Sequence, residues 1–219
     1  MQNIKRFDDK PYMTIGIIVV NIIVFVLMSL SGSTLDAQYM AAHGAMYPEY
    51  IKDGQYWRVV PSMFLDFKPL YWRLLTSMFM HFGLMHILNN MVVLGAVGQI
   101  VEKAMGHVKL LITFLVSGMC GSVLSYIVML YNNDFAVSAG ASGAIFGLVG
   151  ALVWIVIANR GFYEGISRQQ AVFMVILMIY YGVSTQGVDN WAHGGGLAGG
   201  FVISIVLYRK KRYNKYSIN

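Results

Sequence analysis

Ser142 stands in the run Gly140-Ala141-Ser142-Gly143, and His193 stands just before a glycine-rich stretch that includes Gly196 and Gly200. A serine hydroxyl beside an imidazole that can take its proton is the smallest unit able to attack an acyl carbon. His86 and Asn90 are four apart and so share one helical face, where both could donate hydrogen bonds to an oxyanion, while Asn89 points elsewhere. If a helix begins at Ser142, the backbone N–H groups of Ala141 and Ser142 lack intrahelical partners and carry the positive end of the dipole, which suits the same task. Each residue alone has a plainer explanation: interhelical hydrogen bonding for His86 and Asn90, and N-capping for Ser142. Asp189, four before His193, falls on a link about one turn above the imidazole, so the spacing favours a Ser–His dyad with Asp189 as a polar boundary residue. Phe146, one turn after Ser142, is placed to stack on His193. The single cysteine, Cys120, leaves no intramolecular disulfide and no cysteine metal cluster.

The elements that must hold these groups are membrane helices. Of 219 residues, 57% are apolar and only 12% charged, about half the charge that a water-soluble surface carries. Six apolar stretches, near 12–30, 83–101, 108–131, 140–159, 170–186 and 191–208, predict an all-α polytopic membrane protein. Lys103, Lys109, Arg160, Arg168 and the run from Arg209 lie on alternate links, whereas 132–139 and 187–190 hold no Lys or Arg. By the positive-inside rule both termini face the cytoplasm, and the net charge of +6 reflects topology rather than a nucleic-acid partner. The expected organisation is a cytoplasmic tail at 1–11, a six-helix domain at 12–208 and a basic cytoplasmic tail at 209–219.

Within that domain the long connection 32–82 is aromatic and carries Lys52, Arg58, Lys68 and Arg73, which reads as an interfacial outer loop. It contains a doubled block: YWRVVPSMFLDF at 56–67 returns as YWRLLTSMFMHF at 71–82 with seven identities. His86, Ser142 and His193 each lie about 16 to 18 residues from a charged inner boundary, which puts all three roughly 24 to 27 Å above it. A hydrocarbon core of about 30 Å then sets them in one layer a few Å beneath the outer surface. Gly143 and Gly147 on the fourth span, and Gly196 and Gly200 on the sixth, form two small-xxx-small faces that predict close parallel packing of these helices, with His193 beside Ser142.

Taken together, Trp72-Arg73, His86-x-x-x-Asn90, Glu102 with Gly106, Ser117-Gly118 with Gly121-Ser122, Gly140-x-Ser142-Gly143 and His193 with Gly196 and Gly200 make the chain resemble the rhomboid intramembrane serine proteases from about residue 12 to 208. The resemblance implies a Ser142–His193 dyad, an oxyanion site helped by His86 and Asn90, and cleavage of single-span transmembrane proteins within the lipid bilayer, without cofactor or metal. The first copy of the doubled block departs from the family pattern, with Asp66 where the second has His81. Short loops and the charge bias suit a bacterial plasma membrane. Two rivals remain: an inactive rhomboid-like binder of membrane helices, which would lack Ser142 or His193, and a transporter, which would place its polar groups at the midplane.

Overall fold

A computed structural model describes residues 10–52 and 72–210. The first copy of the doubled block, most of the N-terminal tail and the basic run beyond Lys210 lie outside the described residues. The chain is an all-α polytopic membrane protein, with six long helices among the described residues.

Helix α1 (Tyr12–Ser31) starts after Pro11 and buries Thr14, Ile17 and Asn21, which fall at i, i+3 and i+7 on one stripe against α5. The rest of its surface is apolar and outward-facing, with Leu30 81% exposed, a pattern that suits lipid. α5 (Gly83–Met105) and α6 (His107–Asn132) meet at Gly106, whose φ of 87° turns the chain between them. α1, α5 and α6 are each long and apolar enough to cross a bilayer. The ends of α1 and α5 are locked by Glu102: its carboxylate accepts from the backbone N–H groups of Met13 and Thr14, both at 2.8 Å, and from the Thr14 hydroxyl and His107 Nδ1. Orphan donors at the start of α1 are thereby satisfied by a buried acid.

α7 (Ser142–Ala158) is the core of the bundle, buried along most of its length and packed against α5, α6, α8 and α9. Its 17 residues span roughly 26 Å, less than a hydrocarbon core of about 30 Å. The helix begins at Ser142 because Gly140, with φ of 141°, is outside the helical region. α8 (Arg168–Ser184) is opened by a Ser167–Gln170 capping box and buries only Ala171 and Gly182. α9 (Asn190–Leu207) follows its N-cap, Asp189.

Close approach of α7, α9 and α6 depends on glycine. A Cβ on Gly196 would run into the Gly143 carbonyl, and one on Gly200 into the Gly147 carbonyl, so the two helices touch backbone to backbone in parallel register. On the other flank, a Cβ on Gly195 would lie 2.8 Å from the Cys120 carbonyl oxygen of α6. Aliphatic side chains of α7, including Leu148, Leu152 and Ile155, complete the main core with Leu94, Leu110 and Phe114.

The connection after α1 is folded into short helices, α2 (Ala37–His43), α3 (Pro48–Lys52) and α4 (Trp72–Thr76), followed by a single 3-10 turn, Ser77–Phe79. Arg73 points inward rather than toward a lipid surface: it is buried, donates from Nη1 to the carbonyls of Ala41 and Ala45, and stacks on Trp72 and Tyr50 at 5.0 and 5.1 Å. Thr76 Oγ1 adds a bond to the Gly44 carbonyl at 2.8 Å. Two side chains of α4 thus satisfy carbonyls around the C-terminus of α2. A further feature not anticipated from sequence is a two-stranded hairpin between α7 and α8, β1 (Phe162–Tyr163) and β2 (Ile166–Ser167), on the link that carries Arg160 and Arg168. Positive φ at both Glu164 (45°) and Gly165 (82°) fits the type I′ turn that closes such hairpins.

Gly200→Val is expected to push α9 off α7 at a cost of about 1–3 kcal/mol of overpacking or more, read as a lower melting midpoint in detergent. A variant that melts with the parent protein would show that the backbone contact is not what holds the two helices.

Candidate active site

The N-terminus of α7 is held from outside before Ser142 is reached. Ser138 pairs with Met46 through both backbone bonds, at 2.9 and 2.8 Å, in an isolated antiparallel bridge. The Gly140 N–H donates to the Ser77 carbonyl at 2.9 Å, and the Ala141 N–H donates to His81 Nε2 at 3.3 Å. The segment that precedes α5 is therefore the cradle for the turn that presents Ser142. His81 serves as an acceptor only while uncharged, and burial, helped by the neighbouring His86, pushes its pKa down to about 3.

Ser142 Oγ lies 2.9 Å from His193 Nε2, a hydrogen-bond distance that brings the α7 and α9 termini together. The His193 ring is stacked on Phe146, with centroids 4.0 Å apart and planes 12° from parallel. No protein partner reaches His193 Nδ1 among the described residues. The Asp189 carboxylate makes no hydrogen bond to the imidazole: it accepts from the Ala192 N–H at 2.9 Å, from Ser125 Oγ at 2.5 Å and from Ser138 Oγ at 2.6 Å.

His86 closes the site from α5. Its Nδ1 accepts from the Phe82 N–H at 3.2 Å, so in the neutral ring the proton sits on Nε2. That nitrogen and its neighbouring carbon crowd Gly140: a Cβ there would lie 3.0 Å from Nε2, 2.9 Å from Cε1 and 3.6 Å from Ser142 Oγ. A ring N–H donor thus stands beside the turn that carries Ser142. Asn90 is buried and donates from Nδ2 to the His86 carbonyl at 2.9 Å. The cavity wall is formed by Asn89, the amide expected to point away, and not by Asn90.

Of the two expected backbone donors, the Ala141 N–H donates to His81 in this structure. Ser142, the first residue of α7, keeps a backbone N–H with no intrahelical partner. Gly143, Gly147, Gly196 and Gly200 form the floor on which Ser142 and His193 approach.

The Ser142–His193 pair opens into a cavity of about 630 Å³. Ser77, Met78, Met85 and Met129 give it apolar and small walls, and Asn132, Asp134, Gln186 and Asn190 give it polar ones. Such a space can hold water and an extended peptide next to a serine nucleophile, with an imidazole as base and N–H donors for developing negative charge: the requirements of acyl transfer. His81, Ser138 and Ser125 were missed as site residues. The first is visible in sequence only as a change from Asp66 in the doubled block, and the two serines have no local signal at all.

A family model described as a Rhomboid domain matches residues 68–210, more than half of the chain. The chain is 31% identical over 200 residues to "Rhomboid protease GluP" of Bacillus subtilis (strain 168), covering 91% of this chain and 36% of that protein. It is 39% identical over 182 residues to "RHOMBOID-like protein 7" of Arabidopsis thaliana, covering 83% of this chain and 51% of the relative. "RHOMBOID-like protein 5" of the same plant is 34% identical over 173 residues, covering 78% and 50%. The chain thus spans roughly a third to a half of the length of these relatives.

Gly140→Ala places a methyl group against the His86 ring at a φ that L-residues rarely adopt, at a cost of about 1–3 kcal/mol. A lower melting midpoint in detergent is the expected result, and an unchanged midpoint would contradict the crowding described for this turn.

Proposed function

We propose, from the premise that this chain belongs to the rhomboid family, that it is an intramembrane serine endopeptidase cutting transmembrane-helix substrates by a Ser142–His193 dyad. The observation that carries the reading is the 2.9 Å contact between Ser142 Oγ and His193 Nε2 inside a partly polar cavity in a membrane bundle. Polar groups at such depth persist only where protein or water satisfies them.

In this reading Ser142 Oγ attacks the scissile carbonyl while His193 Nε2 takes its proton. The imidazolium then gives that proton to the leaving amine, and water, activated by the same nitrogen, hydrolyses the acyl-enzyme. The Ser142 N–H and His86 Nε2–H stabilise the oxyanion, and Asn90 acts through the His86 carbonyl as a positioning residue. Phe146 sets the plane of the His193 ring by stacking, in the role that a third polar residue plays in a triad.

Both termini are assigned to the cytoplasm, the tails at 1–11 and 209–219 flank the membrane domain, and the membrane is a bacterial plasma membrane, as the charge distribution suggests. Ser142 then lies a few Å beneath the outer surface. Substrates are single-span proteins with a small residue at the cut near their outer end, and helix-weakening Gly, Pro or Asn a little deeper, because an intact helix shields its carbonyls.

The test uses purified protein in liposomes and a reporter helix whose small residue is moved stepwise from the outer to the inner end. Cleavage mapped by mass spectrometry is expected near the outer end, and Ser142→Ala is expected to abolish it. Efficient cutting at the inner end sinks the orientation, turnover by Ser142→Ala sinks the dyad, and capture of helices without cutting supports a binder instead. His86→Ala is expected to lower kcat on the same reporter by roughly 10²–10³-fold and Asn90→Ala by less, as for removal of an oxyanion donor and of its support. Equal kcat in His86→Ala would remove that ring from the oxyanion site.

A further inference from the structure

We propose that Asp189 is a positioning residue for the reaction: its carboxylate clamps together the two segments that deliver Ser142 and His193. The proposal rests on the dyad reading above. Ser138 is four residues before Ser142 and Asp189 is four before His193, and the Ser138 hydroxyl donates to Asp189 Oδ2 at 2.6 Å. The nucleophile and the base are thus tied to each other twice, once at their own contact and once at the same chain distance upstream.

A third element enters the same knot. Ser125 of α6, fully buried, donates to the same Oδ2 at 2.5 Å, while Oδ1 accepts the Ala192 N–H at 2.9 Å. One carboxylate therefore joins α6, the segment leading into α7 and the first turn of α9. Ser138 is itself fixed by its two backbone bonds to Met46, so the clamp is anchored to the connection after α1 as well. Short O–H···O bonds to a carboxylate are among the stronger hydrogen bonds in proteins.

Helix capping alone does not account for this residue. A cap needs one acceptor, and Ser, Thr or Asn supply it about as well as Asp. The second oxygen, with two hydroxyl donors from different elements, is what capping leaves unexplained. Nor is Asp189 the third member of a triad, since its oxygens are committed to these donors and His193 Nδ1 has no protein partner among the described residues. What the clamp controls is the separation of Oγ and Nε2, a quantity to which rate is steeply sensitive.

The experiment measures kcat and KM on a helix that the unaltered chain cleaves, together with melting midpoints in the same detergent. Asp189→Ser keeps a capping oxygen but is too short to reach Ser125 and Ser138. Asp189→Ser and Ser138→Ala are each expected to lower kcat by about 10- to 100-fold with KM unchanged, as for a displacement on the order of 1 Å. Their combination is expected to be no worse than the more damaging single change, because both remove one interaction. Ser138→Thr, which keeps the hydroxyl, is expected to lose less kcat than Ser138→Ala.

Parent-like kcat in Asp189→Ser overturns the clamp, and so do losses that multiply in the double variant. Should Asp189→Ser not fold, the Ser138→Ala and Ser138→Thr pair decides: an equal kcat in the two contradicts the proposal, and a larger loss in Ala supports it. A parent chain that cuts no helix overturns the dyad reading and this proposal with it, whereas a cutting chain indifferent to these changes overturns the clamp alone.

Discussion

Backbone contact between α7 and α9 is the constraint from which the site follows. Apolar side chains give no hydrophobic drive for helices to associate inside lipid, so close association has to come from packing at short range. Gly143 against Gly196 and Gly147 against Gly200 let two parallel helices meet at their carbonyls. With a side chain at Gly196 or Gly200, which would run into the α7 backbone, the Ser142 hydroxyl and the His193 ring would stand apart. The stacking of Phe146 on His193 and the burial of nearly all of α7 are consequences of the same approach.

The second requirement is to keep polar groups and irregular backbone stable within a membrane. The turn 138–141 meets it by bonding outward: to Met46, to Ser77 and to His81. The connection after α1 therefore works as a scaffold for the turn that carries Ser142. Arg73, buried beneath Trp72 and Tyr50, holds α2 in place with its guanidinium, which explains why an Arg–aromatic pair occurs in a loop next to lipid. Glu102 plays the matching part at the other end of the bundle by capping α1.

The six long helices were legible in the sequence because each coincides, within a few residues, with one of its six apolar stretches. The meeting of Ser142 with His193 was legible because glycines four apart on two helices report a contact directly. What was not legible lies in contacts between residues far apart in the chain. His86 and Asn90 share a face by spacing, yet Asn89 and not Asn90 reaches the cavity, since the side-chain amide of Asn90 is drawn back to its own helix. The Ala141 N–H was read as free because the histidine that engages it, His81, lies sixty residues away. The inward turn of Arg73 and the hydroxyls that converge on Asp189 have the same cause: in sequence, a charged residue in a loop is indistinguishable from a solvated one. The hairpin at 162–167 was missed because its turn depends on Glu164 adopting positive φ, for which glutamate gives no signal.

The most direct measurement of the central claim, that Ser142 is a nucleophile activated by His193, is covalent labelling with a fluorophosphonate followed by intact-mass and peptide mass spectrometry. The expected result is a single adduct on Ser142 in the unaltered protein, formed far more slowly in His193→Ala protein that melts normally. Labelling spread over several serines, or an equal rate at Ser142 without His193, would contradict it.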